Sequence, residues 1–508
     1  MATTTSRPAP PLAALAALAA ACCWPAAAAD WRVTPTLRLR QAYSDNMALS
    51  APAQARAEFS SEIAPGVAVQ ARGPRLTLAL DYALQRLAYS RSPSRLKHQL
   101  DAAGHAEALA DWLYVDGQAS VSQQNISAFG PQQSDPAQLG GNSGTVRSAS
   151  LSPYLKHHFR GLAEAELRYT YQASSSGALL RAHSQQAGLR LVGDNRAGGW
   201  NWEAAVGQRR DSDAALAQVT RRDATLTLRV PLRPRLSWFA SAGRESNDYQ
   251  ALGGAPGGRH WSSGLSWSPS PRSSVAASVG RRYFGNTYSL DARHQMRHLV
   301  LGLSYGEDIT SSQEQLQRLP PADLGNFLYQ LWAGRIPDPL LRIQVINAFL
   351  RYSQLQGPNA GNVNYLSHNY FLQKQWNLSA LYSTPKSTLA LGLGGSRRSA
   401  QTSSAIDSPL LGPAELAQQE HTRQTSLHAG WSWRMSARNN LNVNANYAVA
   451  AAPDIGRRDR NATLALGLSR QLRPKLSASV DLRHSWHASS AGGGYRENGA
   501  AATLSVLF

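Results

Sequence analysis

Apolar and polar residues alternate with a period of two along most of this chain. Residues 76–84 place leucine and tyrosine opposite threonine, alanine and aspartate, and residues 441–447 place an apolar face opposite a row of asparagines. Successive side chains of a strand point to opposite faces of a sheet, so each stretch predicts a strand with one apolar and one polar face. The same alternation at residues 476–483 indicates that strands continue almost to the end of the chain.

The connections between these predicted strands alternate between short and long. The short ones are compact, often basic and proline-bearing, and include residues 72–75, 232–235, 268–272, 384–387 and 472–475. The long ones are polar and include residues 44–56, 123–146, 211–217, 399–419 and 451–459. Tight turns at one end and long loops at the other are typical of bacterial outer-membrane barrels. Counting from Trp31 to Phe508 on this alternation predicts about 22 strands, within a range of roughly 20 to 24.

A membrane location fits this pattern only if the strands close on themselves. Beyond the N-terminus no stretch approaches the roughly 18 apolar residues of a membrane-spanning helix, and charged residues make up 16% of the chain. A closed barrel also crosses a bilayer, because it pairs every backbone amide and carbonyl. A soluble β-sandwich or solenoid is the alternative, and the lack of a fixed-length repeat disfavours it. The fold prediction is therefore all-β: a transmembrane antiparallel β-barrel of the cell outer membrane.

The two ends of the chain carry targeting signals. Residues 1–29 predict a secretory signal peptide, with Arg7, an apolar core and a small-residue cleavage site, so residues 30–508 would form the barrel. Both cysteines, Cys22 and Cys23, fall inside that peptide, which leaves no disulfide or thiolate chemistry to the mature chain. At the other end, the alternating residues Leu504, Val506 and Phe508 resemble the signal that the barrel assembly machinery recognises.

One segment departs from the alternation. Residues 320–333 and 339–352 have apolar side chains at helical spacing, and a proline opens each stretch. They predict a helical hairpin within a long extracellular loop at 307–363. Such a loop could constrict the mouth, stand outside as a docking site, or pack its own small core over the rim.

Charge and aromatic content sharpen this picture. A net charge of +19 on an exported chain favours lipopolysaccharide phosphates and anionic polysaccharides as partners, alongside outer-membrane lipid, rather than nucleic acid. The 18 tyrosines and 13 tryptophans outnumber 9 phenylalanines, which suits rings at a membrane interface.

Arginines fall on the polar registers, opposite the apolar faces. The candidates for lining the lumen are Arg38, Arg40, Arg168, Arg190, Arg229, Arg282, Arg293, Arg434 and Arg483. Arginine in a pore favours anions, so one hypothesis is weak selectivity for anionic solutes. The alternative is that any water-filled barrel lines itself with polar groups.

Motifs that could carry chemistry are weak in this context. Residues 302–306 match the nucleophile elbow of serine hydrolases, but that motif requires a strand-to-helix turn and here lies in an alternating strand. His294 and His298 are four residues apart beside a predicted turn, with no acidic partner to complete a metal site. The pairs Asp45–Asn46 and Glu307–Asp308 offer too few oxygen ligands for calcium. We therefore predict no catalytic, cofactor or metal site, and no enzyme.

Several short motifs occur in an order similar to that of a known family, the outer-membrane β-barrel proteins associated with PEP-CTERM/exosortase systems and encoded beside exopolysaccharide genes in Gram-negative bacteria. The motifs are residues 43–46, 63–67, 121–127, 280–287 and 303–305. The resemblance implies a role linked to exopolysaccharide export or PEP-CTERM protein sorting, and no established catalytic residues.

The function predicted from these features is a non-enzymatic, porin-like channel or envelope component. An energised receptor would need an N-terminal plug domain, and strand-like alternation already begins at Trp31. Two alternatives stay open: a scaffold that displays its loops without transport, and an outer-membrane enzyme acting on lipid or polysaccharide.

Overall fold

The computed structural model of the chain is a closed antiparallel barrel of 22 strands. It describes residues 29–177, 180–193, 199–213, 218–249, 251–252, 256–311, 314, 370–402 and 421–508. Each strand pairs with its neighbour in sequence, and the first strand also pairs with the last. Among the described residues, no helix is long and apolar enough to cross a membrane. The predicted fold class and strand number are thus confirmed.

The strands alternate in direction around the barrel. They are β1 (Asp30–Ser44), β2 (Glu58–Arg72), β3 (Leu76–Tyr89), β4 (Arg95–Leu109), β5 (Leu113–Asn125), β6 (Ser143–Phe159), β7 (Ala163–Ser176), β8 (Leu180–Gly193), β9 (Asn201–Asp213), β10 (Val219–Arg233), β11 (Leu236–Asn247), β12 (Gly257–Ser270), β13 (Ser273–Arg282), β14 (Gly285–Gln295), β15 (Leu299–Ser311), β16 (Tyr370–Ser383), β17 (Ser387–Ala400), β18 (His421–Arg434), β19 (Asn439–Ala452), β20 (Arg457–Arg473), β21 (Leu476–Ser489) and β22 (Tyr495–Leu507). Two short 3-10 turns, Pro52–Gln54 and Pro453–Ile455, lie in the connections.

The outer surface of the barrel is apolar and the inner surface is polar. On β21, Val480 and Leu482 are 53% and 51% exposed, whereas the intervening Asp481 and Arg483 face the lumen. Trp261 and Trp267, towards opposite ends of β12, also lie exposed on the outside. An apolar outer wall with aromatic residues near its edges is the surface of a barrel embedded in lipid. The protein is an outer-membrane β-barrel, as predicted.

The closing seam joins β1 to β22. The two strands pair from Thr36 with Leu507 to Ser44 with Gly499, and the Phe508 amide donates a hydrogen bond to the Pro35 carbonyl at 3.0 Å. Leu504 and Val506 share the outward face with Phe508, whose side chain is 62% exposed. The predicted assembly signal therefore lies on the lipid side of the closing strand, and its recognition by the assembly machinery stays a prediction.

Side chains reinforce this seam at the end of the barrel that carries the long loops. The Ser44 hydroxyl donates to the Glu497 carboxylate at 2.8 Å. The backbone amide and the side-chain amide of Asn498 each donate to the Asp45 carboxylate at 2.7 Å. The seam is thus held by side-chain hydrogen bonds in addition to its backbone ladder.

The position of the longest loop needs one correction. Residues 307–311, predicted as the start of loop 307–363, belong to β15, because they continue the hydrogen-bonded ladder with residues 374–370 of β16. The alternation simply persists: Ile309 follows Tyr305 on one face. The predicted helices at 320–333 and 339–352, and the signal peptide except Ala29, lie outside the described residues.

Close contacts between strands on the lumen side predict that two glycines differ in how well they tolerate substitution by alanine. A Cβ atom on Gly264 would collide with the Ala277 carbonyl and lie 2.6 Å from the Phe239 ring, whereas a Cβ on Gly188 would lie 3.7 Å from its nearest neighbour. We expect Gly264→Ala to lower the free energy of unfolding by about 1–3 kcal/mol. Gly188→Ala should have almost no effect. Urea unfolding in detergent, followed by heat-modifiable migration on gels, measures both; equal losses would contradict the prediction.

Candidate functional site

The connection between β5 and β6, residues 126–142, folds back into the barrel; we call it the lumen loop. Its Phe129 packs against Ala450 and Ala452 of β19, and its Ala137 packs against Met47 and Leu87. These partners lie at the long-loop ends of strands on both sides of the closing seam. The lumen loop therefore crosses the inside of the barrel at the seam.

Hydrogen bonds attach the lumen loop to both sides of the seam. Towards the C-terminal strands, the Gly130 amide donates to Asp459 of β20 at 2.8 Å, and the Tyr495 hydroxyl donates to the Gln132 carbonyl at 3.2 Å. Towards the N-terminal strands, the Tyr89 hydroxyl donates to the Ala137 carbonyl at 2.9 Å. The Lys97 ammonium adds a charge-assisted bond to the Pro136 carbonyl at 2.7 Å.

The lumen loop also satisfies much of its own backbone. The Gln138 side-chain oxygen accepts from the Ser134 and Asp135 amides at 2.8 and 3.1 Å, and the Asp135 carboxylate accepts from the Ala137 amide at 2.8 Å. The Asn142 amide group donates to the Ser127 and Pro131 carbonyls. Because buried backbone groups need partners, this internal bonding allows an irregular segment to lie inside the barrel.

Asp135 is the one ionisable side chain of the lumen loop, and it lies between two arginines of the wall. Arg40 of β1 donates to both carboxylate oxygens, one at 3.1 Å, and Arg483 of β21 donates to the second oxygen. Asp135 is only 8% exposed. Burial opposes ionisation of this carboxyl, but Arg483 and Arg40 outweigh burial and hold the pKa of Asp135 well below its usual range.

Two wall carboxylates orient the same arginines. Glu497 of β22 accepts from Arg483 Nε at 3.1 Å and from its Nη2 at 2.6 Å. Glu62 of β2 accepts from Arg38 Nη2 at 2.9 Å and lies 3.9 Å from Arg40 Nη1. Both carboxylates are buried. Arg40 and Arg483 are therefore held by the wall as well as by the lumen loop.

The other arginines predicted to line the lumen also face inward, and several have acidic partners. The ion pairs are Arg168 with Asp116 and Glu166, Arg190 with Glu203, and Arg282 with Glu245 and Asp308, at 2.6–2.9 Å. The remaining three have other surroundings: Arg229 lies over the Phe239 ring, Arg434 donates to the Pro385 carbonyl, and Arg293 lies in the β14 ladder opposite Gly302. Much of the predicted arginine excess is thus neutralised locally.

Sequence reasoning did not identify Glu62, Glu497 and Asp135 as partners of Arg38, Arg40 and Arg483. Glu62 and Glu497 occupy inward registers of β2 and β22, so strand alternation alone could have identified them. No such signal existed for Asp135, because a loop residue has no register.

The wall away from the lumen loop is open to water and rich in neutral polar groups. The side chains of Arg190 and Glu203 face the lumen and are 55% and 39% exposed. Serine pairs bridge neighbouring strands on the inside, with hydroxyl oxygens 2.6–2.7 Å apart; they are Ser120–Ser148, Ser241–Ser262 and Ser278–Ser289. Asn442, Asn444 and Asn446 continue this lining on β19. Among the described residues, the inner wall therefore presents hydroxyls, amides and paired charges.

A second cluster narrows the long-loop end on the other side of the barrel. The Tyr370 hydroxyl of β16 donates to Asp211 of β9 at 3.1 Å, although these strands are not neighbours in the sheet. Arg221 donates to the same carboxylate at 3.1 Å, and the Tyr249 ring stacks on Tyr370 at 4.8 Å. Strand ends on both sides of the short β13–β14 hairpin are thus joined.

Ser304, His294 and His298, which were considered for catalysis or metal binding, do not come together in one site. Ser304 lies within the β15 ladder opposite Asp291 and Asn377, not on a strand-to-helix turn. His294 Nδ1 is 2.8 Å from the Ser273 hydroxyl, and His298 Nδ1 is 3.0 Å from the Ser383 carbonyl. Within the described ranges, no group of three His, Cys, Asp or Glu residues could hold a metal ion.

The lowered pKa of Asp135 predicts how its contribution depends on pH. Asp135→Asn should reduce the free energy of unfolding by about 3 kcal/mol at neutral pH, because the buried arginines lose their partner. The ionised carboxylate stabilises the fold fully above about pH 4, the ordinary value of the unfolded chain, and this contribution is lost only as the pH falls further. Urea unfolding of both proteins from pH 8 to 2 measures the difference. A difference that already disappears at pH 5–6 would contradict the prediction, and Glu203→Gln is the matched lumen control.

No protein-family model matches the chain, and no curated protein matches its sequence. Among solved structures, it is similar to the siderophore receptor PirA from Acinetobacter baumannii, with 6% identity and a TM-score of 0.49 over 94% of this chain and 80% of that chain. The FrpB iron transporter from Neisseria meningitidis has 10% identity and a TM-score of 0.47 over 94% and 82% of the two chains. Pseudomonas aeruginosa OccD3 has 10% identity and a TM-score of 0.33 over 94% and 91%. At such identities the similarity concerns barrel architecture and no binding site.

Proposed function

We propose that this protein is a passive outer-membrane channel for a hydrophilic, polyhydroxylated solute, and that the lumen loop constricts it. The observation that carries the proposal is the polar inner wall of a lipid-facing barrel, with residues 126–142 packed against one side of it. A wall of hydroxyls and amides can exchange hydrogen bonds with a sugar as readily as with water. Locally paired charges would leave such a solute mobile, because no strong field holds it.

We further propose that the solute is an exopolysaccharide. The resemblance to the barrels associated with PEP-CTERM/exosortase systems supports this assignment, as does the neutral lining of the lumen. A net charge of +19 suits the proposed contacts with lipopolysaccharide phosphates and anionic polysaccharide. The proposed partner for assembly is the barrel assembly machinery, acting on the strand that ends at Phe508.

Conductance in planar bilayers tests the channel proposal. Replacing residues 129–139 with a short glycine-serine linker should roughly double the unit conductance, because it removes the segment that narrows the lumen. Asp116→Asn, a lumen substitution outside the lumen loop, should leave the conductance almost unchanged. If neither the natural protein nor the loop replacement conducts, the protein is a scaffold and not a channel.

The paired arginines predict only weak ion selectivity. In a salt gradient of potassium chloride, the reversal potential should give a chloride-to-potassium permeability ratio between about one and three. A strong cation preference would contradict the excess of lumen arginines, and a much stronger anion preference would contradict their local pairing.

The enzyme alternative is tested separately through the residues weighed for catalysis. In cells, Ser304→Ala and His294→Ala should leave polymer production and chain length unchanged, because neither residue belongs to an assembled site. A change in polymer length without a change in barrel abundance would favour an enzyme.

A further inference from the structure

The contact between the lumen loop and the wall has the chemistry of ligand recognition. Asp135 presents a lone carboxylate on an otherwise uncharged segment, and both of its oxygens accept from guanidinium groups of the wall. Paired guanidinium donors around one carboxylate form the strong, geometrically specific mode of carboxylate binding. Asp135 therefore occupies the position that the carboxylate of a solute would take.

The wall holds Arg483 in this position without help from the lumen loop, and it carries Arg40 on the neighbouring part of the seam. Arg483 is bound at Nε and Nη2 by Glu497, which in turn accepts from the Ser44 hydroxyl, so its Nη1 remains directed at Asp135. Arg40 lies on β1, where Glu62 is its cross-strand partner. Glu497 therefore holds Arg483 for an anion independently of the lumen loop, and β1 places Arg40 next to it, 3.9 Å from Glu62.

Charge balance requires an anion at this position. The wall around this position carries four cations, Arg38, Arg40, Arg483 and Lys97, but three carboxylates, Glu62, Glu497 and Asp481. Asp135 supplies the fourth negative charge. If the lumen loop leaves, one positive charge remains uncompensated in a largely buried setting, and this is unfavourable unless another anion takes its place.

Other polar groups of the lumen loop have fewer hydrogen-bond partners than the Asp135 carboxylate has. Two polar atoms beside it, the Ser134 hydroxyl oxygen and Gln138 Nε2, are buried without a hydrogen-bond partner among the described residues. Buried polar atoms that lack partners favour the released state, in which water reaches them. Asp135 is thus the only charged group that the loop itself contributes to its attachment, and the wall adds two charged partners, Lys97 and Asp459, to the neutral contacts.

From this geometry we propose that Arg40 and Arg483 form a carboxylate-binding site for an acidic sugar polymer, and that Asp135 is its internal occupant. The proposal rests on the proposed channel function and specifies its solute: a polymer that contains uronic acid. A uronate carboxylate replaces Asp135 between the arginines, and the lumen loop leaves the wall. Because Asp135 is tethered, it competes at a high effective concentration, so a polymer with many carboxylates displaces it far better than a monomer.

A thiol at position 134 reports release of the lumen loop. Ser134→Cys is nearly isosteric, its side-chain oxygen is buried, and the chain's two cysteines both lie within residues 1–29. We expect oligogalacturonate to increase the rate of maleimide labelling at least tenfold, a shift of about 1.4 kcal/mol in the release equilibrium. Neutral maltooligosaccharide of equal length should have no effect. No acceleration, or equal acceleration by the neutral sugar or by dextran sulfate, would overturn the proposal.

Binding measurements provide a second test that does not depend on the reporter. Asp135→Asn removes the internal competitor, so calorimetry should show oligogalacturonate binding at least tenfold more tightly than to the natural protein. Adding Arg40→Gln and Arg483→Gln to that variant should abolish binding, whereas adding Glu203→Gln should not. Heat-modifiable migration on gels selects the folded barrels for comparison. Equal affinities with and without Asp135 would overturn the proposal.

The two proposals fail in different ways. Conductance without any response to oligogalacturonate would leave the channel intact and remove the uronate site. Binding and loop release without conductance in any variant would remove the channel, and with it the proposed role of the polymer as transported solute.

Discussion

Closure of the sheet between β1 and β22 is the constraint on which the rest of this structure depends. Within a bilayer every strand edge must be paired, because lipid offers no hydrogen bonds to an exposed backbone. The first and last strands meet along Thr36–Ser44 and Gly499–Leu507, and side-chain hydrogen bonds from Ser44 and Asn498 strengthen their long-loop end. The lumen exists only because this seam is closed.

The lumen loop connects this closure to the function proposed for the protein. Asp135 joins Arg40 of β1 to Arg483 of β21, so one carboxylate links strands on both sides of the seam. Glu497 takes part in both contacts, because it accepts from Ser44 across the seam and from Arg483. The segment that packs inside the barrel and the groups that hold the seam closed therefore share the same ion-pair network.

The lumen is nearly balanced in charge despite the basic character of the chain. Cross-strand carboxylates such as Glu203 and Glu245 lie beside the inward arginines, which reduces the field along the axis. A balanced, hydroxyl-rich wall is compatible with the proposed polar solute, because it presents no strong net charge to hold that solute in place. The wall behind the lumen loop is the exception to this charge balance. If the loop left the wall, Arg40 and Arg483 would form a concentrated positive site.

The sequence by itself determined the strands, their number, the two faces of the wall and the inward arginines, because these depend on a local period of two. It also contained Glu62 and Glu497 on inward registers, although their partners were not recognised. The tertiary structure alone decided where Asp135 lies, since Arg40 is 95 residues away in sequence and Arg483 is 348 residues away. Local patterns specify whether a side chain points to the lumen or to the lipid. Only barrel closure brings these distant strands together, and only the folded loop then places a carboxylate between them.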